Sequence, residues 1–454
     1  MLTKCTRANA GLSNRVAAVL GGQWGDEGKG KLADVLAKNY DIVGRFNGGA
    51  NAGHTVVTPD GQKYAFHLLP CGLIYPHTTN ILGNGTVINL VNLFEELEPL
   101  DKDGLEWQGR LLLSDRAHLL FESHKAVDGY QEDQRGAANI GTTKKGIGPC
   151  YTSKATRNGI RVGMLRHWPE FEKQLRELYR FQESQYPGIE LDVEAEVDRY
   201  KKYAEVVKPW IVDGVHFMND QYSQGKRIIT EGANAAMLDI DYGTYPFVTS
   251  SATTVGGICT GLGLSPDKVD CALGVIKAYT TRVGWGPFPT ELTDDTCGGM
   301  VPTGAEGTDI GRHLQVVGAE IGVTTGRKRR CGWLDVPVIQ YGHMINNYQS
   351  INLTKLDILD DLDEVKIGVA YKINGTRLLP GQMPSTLEDL YKVEVEYETM
   401  PGWKESIEKC TDFDSLPDNA KAYVHRIEEL VGCHVSWIGT GPGREQMVKN
   451  GFEE

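Results

Sequence analysis

The stretch that most constrains the fold runs Val16-Ala17-Ala18-Val19-Leu20-Gly21-Gly22-Gln23-Trp24-Gly25-Asp26-Glu27-Gly28-Lys29-Gly30-Lys31. A short apolar run enters a glycine-dense loop, and Leu32, Val35 and Leu36 then recur at helical spacing. The order is strand, phosphate-sized loop, helix. Glycines let main-chain N–H groups converge on an anion, and the positive end of the following helix adds to the attraction. Lys29 stands where a phosphate-binding lysine would reach the outer phosphates of a nucleotide. The pattern departs from the usual phosphate loop. Five residues separate Gly22 from Gly28, one more than that motif has, and Gly30 replaces the Ser or Thr that would hold magnesium. A tight connection with no ligand is the plain alternative.

Asp26 and Glu27 sit in the middle of this loop, where carboxylates would repel phosphate. A carboxylate is explained there if it holds Mg²⁺ or removes a proton from something beside the γ-phosphate. Asp26 as a helix cap is the competing reading, and both can hold for the pair.

The chain has 454 residues, enough for one large α/β domain or two smaller ones. Its net charge of −13 argues against nucleic acid as a main partner. Nine cysteines are scattered singly from Cys5 to Cys433 without metal-ligand or redox spacing, so reduced thiols in a cytoplasmic protein are expected. No apolar run approaches membrane-spanning length. Residues 1–15 carry Lys4, Arg7 and Arg15 and no acid. They read as an untargeted flexible extension rather than a fragment of a targeting peptide.

Along the chain, residues 41–46 read as a second strand leading into Asn47-Gly48-Gly49-Ala50-Asn51-Ala52-Gly53-His54-Thr55, a second glycine-rich loop. His54 there is either a structural histidine or a group acting beside the phosphates. Residues 64–69 and 80–82 look strand-like, and 91–100 amphipathic. Residues 139–154 read as a loop rich in hydroxyls, lysines and glycines, suited to an anion or simply solvated. A peripheral helical excursion covers about 169–224. Strands follow at 226–231 and 269–280, with a small-residue, hydroxyl-rich segment at 243–263 between them and a structured turn at 284–289 behind. Residues 297–308 look like an exposed insertion.

Val323-Thr324-Thr325-Gly326-Arg327-Lys328-Arg329-Arg330 is the one basic cluster in an acidic chain. It suits a carboxylate or phosphate clamp, with a solvated turn as the alternative. Residues 351–357 read as a strand ending in Thr354-Lys355-Leu356-Asp357. A carboxylate there can accept from guanine N1–H and its 2-amino group, donors that adenine does not offer in that arrangement. A helix at 417–431, a strand at 435–438 and the turn Gly439-Thr440-Gly441-Pro442 complete the chain.

Taken together, segments 22–31, 51–55, 141–149, 231–251, 283–292, 324–335, 353–357 and 439–442 resemble the adenylosuccinate synthetases, and the resemblance runs from about Val16 to the C-terminus. It implies a single large α/β domain over 16–454 with a mostly parallel central sheet, related to the phosphate-loop NTPases, and peripheral helical subdomains. It implies a homodimer with composite sites. The implied reaction is GTP-dependent joining of L-aspartate to IMP in purine biosynthesis, on the way to AMP. Residue by residue, Asp26 is then the base and an Mg²⁺ ligand, with the Gly53 carbonyl as a second ligand, and His54 the acid beside the reacting phosphate. Gly25, Asp26, Glu27, Gly28, Lys29, Gly30, Lys31, Gly53, His54 and Thr55 surround the GTP phosphates. Lys355, Leu356, Asp357, Gly439, Thr440 and Gly441 hold guanine. IMP contacts are Asp26, Lys29, Asn51, Ala52, Gly53, His54, Thr143, Asn234, Thr249 and Arg327, with Arg157 from the partner subunit. Val323, Thr324, Thr325, Gly326, Arg327, Lys328 and Arg329 hold aspartate. Asn234 stands where bacterial members have glutamine and Gly439 where they have serine. The shorter amide resembles the eukaryotic branch.

The chemistry agrees with the residues. Taking the N1 proton of IMP puts charge on O6, which can attack the γ-phosphorus, while Lys29, Mg²⁺ and His54 spread the charge that builds up. A GTP-binding switch protein is the rival from another class. It shares the phosphate loop and the guanine reader, but has no use for the 323–330 cluster.

Overall fold

The computed structural model describes residues 15–51, 53–58, 61–136, 140–292, 309–322 and 326–451. The opening stretch forms the strand Val16–Gly21 and the helix Lys29–Ala37. Every residue of that strand is buried, and alternate side chains enter two different cores. Val16, Ala18 and Leu20 pack on one face of the sheet, Ala17 and Val19 on the other. A strand buried on both faces belongs in a parallel sheet covered by helices.

Ten strands hydrogen-bond in the order 447–449, 435–439, 350–354, 271–277, 16–21, 228–235, 42–45, 79–82, 111–114 and 211–212. All neighbours run parallel except the edge strand Met447–Lys449. Val16–Gly21 therefore lies near the middle, between Cys271–Lys277 and Ile228–Ala235. A second sheet joins Leu334–Asp335, Glu364–Ile373, Thr376–Arg377 and Glu394–Pro401. The expected α/β architecture, a large and mostly parallel central sheet with helices, is the one observed.

Several local expectations are corrected. The loop reading of 139–154 fails in its second half, where the helix Ile147–Thr156 begins. Gly146, at φ 75°, turns the chain into it as an N-cap without a side-chain oxygen. Residues 64–69 are not one strand. His54–Val57 and Lys63–Phe66 make a hairpin, with His54 opposite Phe66. The excursion is helical as expected, in Trp168–Gln185, Val193–Val207 and Gly214–Ser223. It also supplies the edge strand Ile211–Val212, so it is part of the main sheet and not wholly peripheral. The 269–280 strand divides into Cys271–Lys277 and Thr280–Arg282. The turn at 284–289 is held by two buried arginines. Arg282 donates to the Pro287 carbonyl at 2.6 Å, and Arg330 to those of Gly284 at 3.0 Å and Gly286 at 2.7 Å. The N-terminal extension through residue 14, the 297–308 insertion, Ala52, Val323, Thr324 and Thr325 lie outside the described residues.

Candidate functional site

The carboxyl ends of the parallel strands converge on a cleft of about 470 Å³, as in other open α/β sheets. Gly25, Asp26, Gly28, Lys29, Gly30 and Lys31 line it from the first strand. Asn51, Gly53, His54 and Thr55 come from the second loop and its hairpin, Thr143 and Asn234 from beyond. Arg327, Arg329 and Lys355 close it. Residues separated by more than 300 positions in the chain thus meet around one space.

The phosphate loop is shaped by Glu27. Its buried carboxylate accepts from the N–H groups of Gln23 at 3.1 Å and Gly25 at 2.9 Å, and from the Lys29 ammonium at 2.8 Å. The side chain thus faces into the loop, and Glu27 is left to meet a phosphate with its main chain. Asp26 and Gly28 adopt left-handed backbone conformations, φ 59° and 89°. Asp26 is held there while its carboxylate points at the basic segment. Arg329 pairs with it through Nε at 2.9 Å and Nη2 at 3.0 Å. The helix start is close to His54: a Cβ on Gly30 would lie 2.6 Å from the imidazole Cδ2.

On the Lys355 side of the cleft, Thr354 ends its strand, and Lys355 turns left-handed at φ 58° into the short 3-10 helix Leu356–Leu359. Asp357 therefore sits in a helical turn, not at a bare strand end. Burial pushes its carboxyl up, against the main chain, Lys355 and Lys31. Among the described residues, the buried Asp357 Oδ1 and Thr440 Oγ1 have no hydrogen-bond partner. Two unpartnered oxygens suit a base edge that brings donors. Lys31 donates to the Gly441 and Gln446 carbonyls at 2.9 and 3.0 Å, so its ammonium ties the last turn to the phosphate loop. Burial lowers the Lys31 pKa to about 8, opposed by Asp357. Gly439 packs on the same strand end, its Cβ position 3.3 Å from the Lys355 nitrogen. Leu356 is fully buried in the core, leaving only its main chain for a ligand.

On the third side, Asn234 is left-handed at φ 67°, and its Oδ1 accepts from Asn51 Nδ2 at 3.3 Å. Thr249 lines a neighbouring cavity of about 460 Å³ that shares Asn51, Thr143, Asn234, Leu238 and Val283 with the first. Arg327 Nη2 donates to the Gly141 carbonyl at 3.1 Å, placing the basic segment against the 141–149 loop. Gly326 and Lys328 are exposed and line neither cavity. Arg157 is exposed as well, left-handed at φ 67° just past the helix Ile147–Thr156, and lines neither cavity. Arg329 and Arg330 are buried, which removes the solvated-turn reading for both. Arg330 pairs with Glu291 behind the site, at 2.6 Å from Nε.

Three buried residues matter here that the sequence did not single out. Arg45 donates to the His67 and Gly49 carbonyls, each at 2.6 Å, and holds the second glycine loop. Asn47 and Ala233 exchange hydrogen bonds at 3.2 and 2.8 Å, clamping that loop to Ile228–Ala235. Glu320 accepts from Lys277, Lys355 and Arg329. Most of these partners are distant in sequence, and no local pattern signals them.

For a metal the cleft offers hard oxygens, since Asp26 with its carboxylate and Gly53 with its main-chain carbonyl are both among its lining residues. No group of three or more His, Cys, Asp or Glu able to hold a metal occurs among the described residues. One carboxylate completed by phosphate and water oxygens is a set that Mg²⁺ accepts, so the residues fit that ion. No helix among the described residues is long and apolar enough to cross a membrane.

A family model described as adenylosuccinate synthetase matches residues 18–448. The adenylosuccinate synthetase of Schizosaccharomyces pombe is 52% identical over 433 residues, 95% of this chain and 96% of that protein. A chloroplastic adenylosuccinate synthetase of Ostreococcus tauri is 51% identical, over 97% of this chain and 89% of its own. Among solved structures, fully ligated adenylosuccinate synthetase from Plasmodium falciparum superposes with a TM-score of 0.89 at 46% identity, covering 96% of this chain and 100% of that one.

Proposed function

The chain belongs to the adenylosuccinate synthetase family, and we propose that its cleft performs that family's reaction with the residues assembled above. It is a GTP-using ligase of purine nucleotide biosynthesis that joins L-aspartate to IMP. The finer reading concerns which groups act. Asp26 takes the N1 proton of IMP, and the charge passes to O6. That oxygen attacks the γ-phosphorus, the bond to GDP breaks, and 6-phosphoryl-IMP forms. The aspartate amine then adds at C6, phosphate departs with the former O6, and the amine proton is released. Lys29 and loop N–H groups within residues 26–31 hold the phosphates with Thr55, while the Gly25 N–H stays on Glu27, and His54 donates to the transferring group. Mg²⁺, held by Asp26 and Gly53, would neutralise charge on the phosphate oxygens. Asp357 and Lys355 with the 439–441 turn read guanine. Asn51, Thr143, Asn234, Thr249 and Arg327 receive IMP, and 323–329 receives aspartate.

The ion pair of Asp26 with Arg329 gives this reading a sequence of events. In the free protein the guanidinium neutralises the carboxylate. Substrate aspartate brings a carboxylate of its own, which can take Arg329 in bidentate fashion and release Asp26 toward IMP. A homodimer in which Arg157 reaches the partner's IMP, acting in the cytoplasm, completes the proposal. The exposure of Arg157 at a helix end supports the first part.

The observation that carries the reading is that Asp26 of the phosphate loop and Arg327 and Arg329 of the basic segment line one cleft. A switch protein has no use for a second anion site beside the γ-phosphate. The test is phosphate release from GTP. It should require IMP and aspartate together; equal release from GTP alone would favour a GTPase switch.

A further inference from the structure

Glu320 belongs to no substrate position named above, yet its two oxygens divide between the two ends of the cleft. Oε1 accepts from Lys355 Nζ at 2.7 Å and from Lys277 Nζ at 2.9 Å, and the Tyr279 hydroxyl donates to the same atom. Oε2 accepts from Arg329 Nη1 at 2.7 Å. Arg329 continues to Asp26. An unbroken charged path, Lys355–Glu320–Arg329–Asp26, therefore links the guanine reader to the base. Glu320 is fully buried, and burial pushes its carboxyl up, but Lys277, Lys355 and Arg329 outweigh that and hold it below the usual carboxylate range.

The carboxylate is also anchored from beneath. Lys277, 1% exposed, is the last residue of the central strand Cys271–Lys277. Its N–H donates to Gln23 Oε1 of the phosphate loop at 2.9 Å. The Arg329 N–H donates to the Glu320 carbonyl at 2.8 Å, fixing the two segments together through the main chain. A carboxylate held so firmly cannot follow one cation without affecting the other.

We propose that Glu320 is a positioning residue that couples the guanine end of the cleft to its aspartate end. A ligand that draws on Lys355 or Arg329 also shifts the shared carboxylate of Glu320, and so changes how the other cation is presented to its own ligand. Buried charges sharing one partner in a poorly screened interior are where such coupling is large. The inference rests on the proposed assignment of Lys355 to guanine and Arg329 to aspartate. A role limited to compensating buried Lys277 is the competing account, and it moves stability alone.

The experiment is steady-state kinetics of the full-length protein with each substrate varied. Glu320→Gln alone would leave the Lys277 charge buried, so Glu320→Gln is combined with Lys277→Met. In that variant the KM for GTP and for aspartate should each rise about tenfold or more, and that for IMP by less than about twofold. Lys355→Met alone should raise the KM for aspartate about threefold or more, but should add nothing in the Glu320→Gln/Lys277→Met background. Unchanged KM values for GTP and aspartate in the folded variant would overturn the proposal. So would an unchanged aspartate KM in Lys355→Met, a measurement that does not depend on the other variant folding. The underlying assignment is checked separately. If Lys355→Met leaves the KM for GTP alone, or Arg329→Leu that for aspartate, the assignment fails and not merely the coupling.

Discussion

Asp357 shows how much of the site one residue can carry. Its unpartnered Oδ1 lies buried beside Lys355 and Lys31, in a turn where two acceptors can face the two donors of guanine. Asp357→Asn exchanges one acceptor for a donor, which mispairs with guanine but matches the 2-carbonyl of xanthine. kcat/KM with GTP should fall roughly a hundredfold or more, and XTP should become the better phosphoryl donor. An unchanged GTP preference would mean that this turn does not read the base. Asp357 stands out in the sequence because its motif is contiguous: strand, lysine, leucine, carboxylate. Asp26 stands out because a carboxylate in a phosphate loop is chemically out of place. Glu27 was only half legible. The pair gave no sign that one acid turns inward to tie Gln23, Gly25 and Lys29 together while the other faces the cleft. Glu320 was not legible at all, since its partners Lys277 and Lys355 lie 43 and 35 residues away.

Among elements, the helix Lys29–Ala37 and the hairpin His54–Val57/Lys63–Phe66 must approach closely for the histidine to stand at the phosphate loop. Gly30 permits it. Alanine in a helix is ordinarily about 1 kcal/mol better than glycine, but here a Cβ would stand 2.6–2.7 Å from three atoms of His54. One of these is the His54 Cβ, which a turn of the ring cannot move, so the hairpin itself must shift. Gly30→Ala should therefore lower the thermal midpoint by several degrees, and kcat of the protein that remains folded should drop on the order of a hundredfold as His54 loses alignment. Unchanged turnover in a folded Gly30→Ala protein would mean that His54 does not act from this position. The same scale explains what sequence patterns missed. Residues 147–156 contain Gly148 and Pro149, both poor helix formers, yet they make a helix because proline is tolerated in its first turn and Ile147 and Cys150 pack into a small core. The hairpin was hidden because its first strand begins inside a glycine-rich loop. The buried strands in the middle of the sheet, by contrast, announce themselves as apolar runs, whereas Leu111–Ser114, Ile211–Val212 and Met447–Lys449 toward its two edges do not stand out.

For the molecule as a whole, the order of the ten strands places Val16–Gly21 between Cys271–Lys277 and Ile228–Ala235. The loops that follow Val16–Gly21, Ile42–Arg45, Ile228–Ala235 and Ser350–Thr354 thereby open on one side, and that gathering creates the cleft. Arg157 is left facing outward from it. If two copies share their sites, Asp26→Asn and Arg157→Leu proteins should each be nearly inactive. After subunit exchange about a quarter of all sites should be restored. A mixture that contains hybrids, confirmed by mass, yet stays inactive would return Arg157 to its own subunit. In the proposed reaction the cleft directs the γ-phosphoryl group of GTP to O6 of IMP before the aspartate amine adds at C6. The most direct measurement follows the oxygen: IMP labelled with oxygen-18 at O6 is turned over with GTP and aspartate, and the released phosphate is weighed by mass spectrometry. One labelled oxygen in each phosphate is the result predicted. Unlabelled phosphate formed alongside adenylosuccinate would contradict the account.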